Sequence, residues 1–245
     1  MLKSISLTAM MLLWVSTHSW AQQFSADSLY QPPYLVQSDQ FMMAVFHLDP
    51  SEVAPLIPEP FSLQTNEQGQ AVLSLEMYTT RKIYGLPIFQ IAFLVVDVEG
   101  YASANGATGR IALWGNTDSE IVQAAMGRHY GFPYSVNSEM NIRDEGDVRI
   151  GDIRLGAGRL NLQVEKLVDQ PFDWTGIVNM VGRKPEGEVV WSEVPWQSAG
   201  FMGRVQNFEL DSAGNPFLQL IQGKTPAWSM LSYDQVFTYT PAQTQ

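Results

Sequence analysis

Gly127-Arg128-His129-Tyr130-Gly131-Phe132-Pro133-Tyr134-Ser135 combines helix-stop chemistry, a turn and a run of polar side chains, and it decides how the rest of this 245-residue chain is read. Two glycines and a proline end a helix and begin a turn. Just upstream, Thr117-Asp118-Ser119-Glu120 fits a capping box, in which the threonine hydroxyl and the glutamate carboxylate satisfy each other's backbone donors. Ile121, Ala124 and Ala125 give the intervening helix an apolar stripe, with Gly127 or Gly131 as its stop. The helix therefore delivers the chain into this stretch, which is expected to face a pocket.

Working outward, the flanks read as strands. Upstream, Phe41 to His47 is apolar enough for a buried strand, and Asp49 or Ser51 can cap a short helical turn before Pro55 and Pro58 stop it. From Ala71 to Tyr78, Leu73, Leu75 and Met77 alternate with Val72, Ser74, Glu76 and Tyr78, and Thr79 to Leu86 reads as the following loop. Phe89 to Val98 is apolar on both faces, as a covered central strand would be; Gln90 shares a face with Ala92, Leu94 and Val96. Gly100 to Gly109 is a loop and Arg110 to Trp114 a short strand. Downstream, Asn137–Arg143 and Asp147–Leu155 flank an Asp144-Glu145-Gly146 turn, and Leu160, Leu162 and Val164 alternate with polar residues. Val189–Trp191, Gly200–Leu210 and Phe217–Leu220 add strands, Asp211–Asn215 is a turn, and the aromatic-rich Ser229–Tyr239 closes the structure. The fold class is α+β, mainly β: a curved antiparallel β-barrel with one or two short helices.

The ends and the composition bound the rest. Met1-Leu2-Lys3, an apolar run from Ile5 to Val15, and Ser19 and Ala21 make residues 1–21 a secretory signal peptide cleaved after Ala21, with the mature protein periplasmic or secreted. The run is shorter than the roughly 20 residues of a membrane-spanning helix, so no membrane insertion is expected after cleavage. Residues 22–33, ending in Pro32-Pro33, form an extended arm, and residues 34–245 form one domain. The formal charge of −11, which becomes −12 without Lys3, disfavours nucleic acid, whose binding rests on Lys and Arg. With no cysteine there is neither a disulfide nor a thiol nucleophile, and the 45% apolar residues must supply the core.

The Gly127–Ser135 stretch resembles the Gly-Arg-Glu-x-x-Gly-Phe-Pro-Lys-Lys motif of acetoacetate decarboxylases and their relatives. Leu48-Asp49-Pro50 through Leu56-Ile57-Pro58-Glu59-Pro60-Phe61 is similar to the family's segment ending in a Pro-Glu-Pro-Leu-like sequence. Leu73-Ser74-Leu75-Glu76-Met77 is similar to the strand that bears a family active-site carboxylate. Order and rough spacing match from about Tyr34 to Asn141. The resemblance implies a curved, largely antiparallel barrel around an apolar pocket. It also implies a reaction this chain departs from, because the family lysine that forms a Schiff base with the keto acid falls where Tyr134 and Ser135 stand. A second family carboxylate falls near Gln90, and the family's pocket arginine falls near Asp39 or has no counterpart.

Glu76 is either a general acid or base with a raised pKa in an apolar barrel, or a strand residue at the rim. Tyr134 and Ser135 either donate hydrogen bonds to a ligand carbonyl or serve as turn residues. Arg128 either holds a carboxylate or bonds the last helix carbonyls, and His129 either shuttles a proton or is structural. Catalytic roles are assigned to Glu76, Tyr134 and His129, and substrate binding to Gln90, Arg128, Phe132 and Ser135. No metal or other cofactor is expected: the mature chain holds only His47 and His129, without short ligand spacing, and Asp144, Glu145 and Asp147 lack a full calcium-loop pattern. Whether Lys82, Lys166, Lys184 or Lys224 enters the pocket is open, as is a homo-oligomer.

Two functions follow. One is an exported acetoacetate decarboxylase-like enzyme, of lyase or isomerase type, acting on a small, partly apolar carbonyl or carboxylate compound without a Schiff base. The other is a non-catalytic periplasmic protein that binds such a small molecule.

Overall fold

The computed structural model describes residues 29–244. The expected leader and residues 22–28 of the expected arm lie outside the described residues. Of the rest of the arm, Leu29 is buried, and the Tyr34 hydroxyl donates to the Tyr30 carbonyl at 2.6 Å.

The elements in order are β1 (Tyr34–Leu48), α1 (Pro50–Val53), β2 (Ala71–Tyr84), β3 (Gln90–Val98), β4 (Gly109–Thr117), α2 (Glu120–Tyr130), β5 (Tyr134–Val136), β6 (Met140–Glu145), β7 (Val148–Leu155), β8 (Gly158–Lys166), β9 (Phe172–Arg183), β10 (Val189–Asp211), α3 (Pro216–Gln219), β11 (Trp228–Tyr239) and β12 (Gln243–Thr244). Hydrogen bonding runs β11-β1-β2-β3-β4-β9-β10, and β10 then pairs with β11, so the path returns to its start as a ring of strands. The far half of β10 also carries β8, β7 and β6. This is the mainly-β, curved-sheet architecture expected from strand alternation, with one correction to its directions. β4 pairs in parallel with β5 and with β9, because the chain between β4 and β9 crosses over through α2 and the β6–β8 meander.

The two faces of β1–β3 are both buried. One face packs Met42, Leu73, Leu75 and Leu94 against Ile153, Leu160 and Leu162 of the β6–β8 layer. The other turns Phe41, Met43, Tyr78 and Phe93 into the ring, in a second cluster that includes Val122, Ala125, Met126 and Tyr130 of α2. Ala125, Met126 and Tyr130 lie three, four and eight positions after Val122, a helical stripe offset from the expected Ile121, Ala124 and Ala125.

Other expectations are corrected locally. Ser119, not Thr117, caps α2: its extended backbone and its hydroxyl, accepting from the Val122 amide at 3.4 Å, make Glu120 the first helical residue. Thr117 is held in β4 by pairing with Ile91 and Val136. Residues expected as a loop after Tyr78 continue as strand to Tyr84 because β1 pairs along them. β9 was not expected, and β10 joins two expected strands through Pro195. Phe217–Leu220 is helical rather than extended, because the Asn215 side chain accepts from the Phe217 and Leu218 amides and Pro216 occupies the first turn. Among the described residues no helix is long and apolar enough to cross a membrane.

Candidate functional site

The ring encloses a cavity of ≈ 350 Å³, at the small end of the roughly 300–1,000 Å³ usual for ligand pockets. Asn105 and Thr175, the exposed residues of its lining, mark its mouth.

Three charged side chains from adjacent strands meet on one wall. Arg110 of β4 donates from Nε to Asp97 Oδ1 at 3.1 Å and from Nη1 to Glu76 Oε1 at 3.3 Å. Asp97 and Arg110 are direct cross-strand partners, so their pairing follows from the β3–β4 register. Glu76 and Arg110 line the cavity. Burial pushes the Glu76 pKa up, Arg110 opposes the rise, and the Asp97 charge adds to it. Each pair is partly buried, so the arrangement holds one guanidinium between two carboxylates.

Two residues along β2 from Glu76, Tyr78 also faces the cavity, its ring enclosed by Phe41, Phe89, Phe93 and Phe237. Burial keeps Tyr78 well above the usual tyrosine range, and Tyr239 is likewise raised by burial. Their hydroxyls are near enough to bias each other's proton, yet their geometry falls short of a hydrogen bond and Tyr78 Oη has no partner. Both therefore remain protonated donors at neutral pH. On the opposite wall stand Trp174 of β9, Trp196 of β10 and Trp228 of β11; Trp174 meets Trp196 edge-on at 5.1 Å and Trp228 at 6.3 Å.

The Gly127–Ser135 stretch stands beside this cavity rather than in it. Gly131 ends α2 in the left-handed region (φ 69°), its amide donating to the Gly127 carbonyl at 3.0 Å. Phe132 is buried and stacks on Tyr130 at 5.6 Å, while Tyr134 is buried behind Phe93 at 6.1 Å. Gly115 of β4 makes room for Tyr134, since a Cβ there would collide with the Tyr134 ring. Tyr134 Oη has no partner, and burial, then Tyr239, then Glu76 hold its pKa well above the usual range. Ser135 is exposed and pairs with Asn116.

The remaining candidates lie elsewhere. Arg128 is exposed on α2. His129 sits edge-on to Tyr34 at 6.2 Å, outside the cavity lining; its Nε2 is buried without a partner, and burial, then Arg128 and Lys184, lower its pKa. Gln90 faces away from the cavity, where its Oε1 accepts from the Ile142 amide at 2.9 Å and ties β3 to β6. Glu76 is thus the one candidate on the cavity wall, while Tyr134 packs behind the lining residue Phe93 and Phe132 packs on Tyr134. Asp97, Arg110, Tyr78 and the three tryptophans were not singled out from sequence. The signal for Asp97 and Arg110 was present, as lone charges in apolar strands on either side of the 99–108 loop.

No lysine lines the cavity among the described residues. Lys82 is exposed, Lys166 pairs with Asp147 at 3.2 Å, Lys184 with Glu188 at 2.6 Å, and Lys224 with Glu52 at 3.0 Å. Among the described residues no group of three or more His, Cys, Asp or Glu side chains is placed to hold a metal ion.

No family model matches the chain and no curated protein matches its sequence. Solved structures do match. A structure from studies of acetoacetate decarboxylase superposes with a TM-score of 0.69 at 15% identity, covering 94% of this chain and 96% of that one. The fold is that of the acetoacetate decarboxylases. The acetoacetate decarboxylase of Legionella pneumophila matches with a TM-score of 0.67 at 16% identity over 98% of each chain. An acetoacetate decarboxylase-like enzyme from Sphingomonas wittichii RW1 matches at 0.65 and 12% identity, over 91% of this chain and 97% of that one. At these identities the likeness establishes the acetoacetate decarboxylase-like fold and leaves the chemistry to the site itself.

Proposed function

We propose that this chain is an exported acetoacetate decarboxylase-like enzyme, with a signal peptide cleaved after Ala21, that moves a proton next to the carbonyl of a small, partly apolar compound without forming a Schiff base. The observation that carries the reaction is Glu76, a largely buried carboxylate on the wall of an aromatic cavity, with its proton affinity raised by burial and restrained by Arg110. Burial makes Glu76 hold a proton more tightly than a free carboxyl does, which suits it to take and return one, and Arg110 limits the rise.

In the proposed reaction the Glu76 carboxylate takes a proton from the carbon beside the carbonyl; the C–H electron pair becomes the C=C bond of the enolate and the C=O π pair moves onto the oxygen. Protonated Tyr78 and Tyr239 also line the cavity, and a hydroxyl donor aimed at the developing enolate oxygen stabilises it. Glu76, having exchanged its proton with solvent, returns one to the same carbon as the enolate collapses to the carbonyl. Arg110 holds Glu76 in place and supplies the positive charge that a substrate carboxylate would meet. The absence of a lysine from the described lining supports the non-imine route.

The test is solvent exchange. Deuterium uptake next to the carbonyl, followed by NMR across a panel of small aryl and alkyl ketones and oxo acids, is expected for the wild type and to fall about 10²–10⁴-fold in Glu76→Gln. Exchange unchanged in that variant would overturn the role of Glu76. Borohydride with acetoacetate should leave every lysine unmodified; a trapped adduct sinks the non-imine route. The ion pair at Glu76 Oε1 also favours a second function, simple binding, which is the outcome if ligands bind and none exchanges.

A further inference from the structure

Away from Glu76 and Arg110, the cavity wall carries two polar side chains that the proposed reaction does not use. Ser198 of β10 is 1% exposed and its hydroxyl has no hydrogen-bond partner; Gln235 of β11 has a buried Oε1 that also lacks one. They are direct cross-strand partners, so they form one patch rather than two stray groups. Trp174 is the neighbour of Ser198 on β9, and Trp196 precedes Ser198 by two residues on the same face of β10. Arg110 pairs with Met180 of β9, which lies six residues along that strand from Trp174. The polar patch and the charged group are therefore set apart along the cavity, with Trp174 beside the patch and Trp196 on its Arg110 side.

Buried polar atoms are almost always bonded, because an unmet donor or acceptor away from water costs on the order of 1–3 kcal/mol. A pair of them opening onto a cavity describes what the cavity holds. Gln235 Oε1 can only accept, so its partner must carry O–H or N–H; Ser198 Oγ both donates and accepts. A single hydroxyl satisfies both, donating to Gln235 and accepting from Ser198. Beside this patch Trp174 and Trp196 stand at 84° to one another, so a planar ring can lie on the face of one and meet the edge of the other.

We propose that the cavity takes a hydroxyaryl carbonyl compound, its ring against Trp174 and Trp196, its hydroxyl on Ser198 and Gln235, and its carbonyl toward Glu76. Only the carbonyl end rests on the proposed reaction; the hydroxyl end rests on Ser198 and Gln235 alone. A site built to bond a hydroxyl rejects the analogue that lacks it, because its own polar groups are then left unmet.

The test is calorimetric titration of the full-length mature protein with 4-(4-hydroxyphenyl)butan-2-one, its 4-methoxy analogue and 4-phenylbutan-2-one. The hydroxy compound is expected to bind at least about tenfold tighter than the other two. In Ser198→Ala and in Gln235→Leu that ratio should shrink, and in the double variant it should approach one; binding of 4-phenylbutan-2-one reports that each variant is folded. Equal affinity of the three ketones for the wild type overturns the proposal, as does a hydroxyl preference that survives in the double variant, or binding of none of them at millimolar concentration. Glu76→Gln separates the two ideas. A preserved affinity ratio with unchanged deuterium exchange sinks the reaction and keeps the hydroxyl patch, whereas a lost ratio in the patch variants alongside exchange that still depends on Glu76 keeps both.

Discussion

Along β2, Leu73, Leu75 and Met77 point into a cluster closed by the β6–β8 layer, while Ser74, Glu76 and Tyr78 point the opposite way toward the ring interior. The first face is filled by aliphatic side chains from both layers. The second, built from the same strand, leaves open volume, an ion pair and tyrosine oxygens without partners. Both faces are inaccessible to bulk water over most of their length, so burial does not separate them. What separates them is whether a second layer supplies atoms to fill the space: where β7 and β8 cross, the strand contributes stability, and where nothing crosses, it contributes a site.

Activity aside, the largest difference should appear on truncation. Leu75→Ala on the filled face is expected to cost about 2–5 kcal/mol by urea denaturation, because the layer above cannot collapse into the gap. Met43→Ala, on the cavity face, should cost clearly less, since it enlarges space that already exists. Equal costs would erase the distinction between the faces.

Gly115→Ala probes the boundary between stretch and cavity. The added methyl collides with the Tyr134 ring, and overpacking of this kind costs about 1–3 kcal/mol. Because Tyr134 rests on Phe93, the same variant should alter ketone affinity; a destabilised protein with unaltered affinity would detach the stretch from the cavity.

Smaller effects are expected with pH. Burial raises the Glu76 pKa, so the folded state holds that proton more tightly than the unfolded chain does. The stability this brings is complete below the ordinary value of 4.5 and is lost as pH rises through the raised, folded value. In thermal melts the gap between Glu76→Gln and wild type should therefore move in favour of Gln from pH 4.5 upward; a pH-independent gap would mean that Glu76 is not held in a desolvated site. His129 runs the other way. Its lowered pKa gives stability that is present above 6.5 and lost as pH falls through the folded value, and His129→Gln should flatten that loss. This smallest effect belongs to a side chain outside the cavity, so it should leave ketone binding unmoved.

Much of the ring could be read from side-chain parity. Alternation in Ala71–Tyr78 put Glu76 and Tyr78 on one face, and the structure keeps them there. Parity within one strand does not say which face of the next strand joins it, and a shift of one residue in pairing would exchange the two. The resemblance places Gln90 with the site, where a family carboxylate falls, and only the pairing of Glu76 with Phe93 shows that Ile91, Phe93 and Val95 face inward and Gln90 outward. Asp97 and Arg110 were legible as isolated charges, but their meeting with Glu76 depends on the registers of two ladders at once. β9 escaped because Asp173, Thr175 and Gly176 break its apolar run, although Phe172 and Trp174 alternate with them as a half-buried strand requires. Phe217–Leu220 was read as a strand from its apolar character, and Asn215 with Pro216 overrode it locally.

β10 is 23 residues long and bonds β12 and β9 near its start, β11 through its middle and β8 toward its end. It is a member of the ring and of the added layer at once, with no loop between the two roles. A hinge between ring and layer would have to break ladder bonds in the middle of a continuous strand. The cavity therefore cannot open by the layer swinging away, and a ligand enters and leaves at the mouth, where Asn105 and Thr175 reach solvent. The site is a fixed socket.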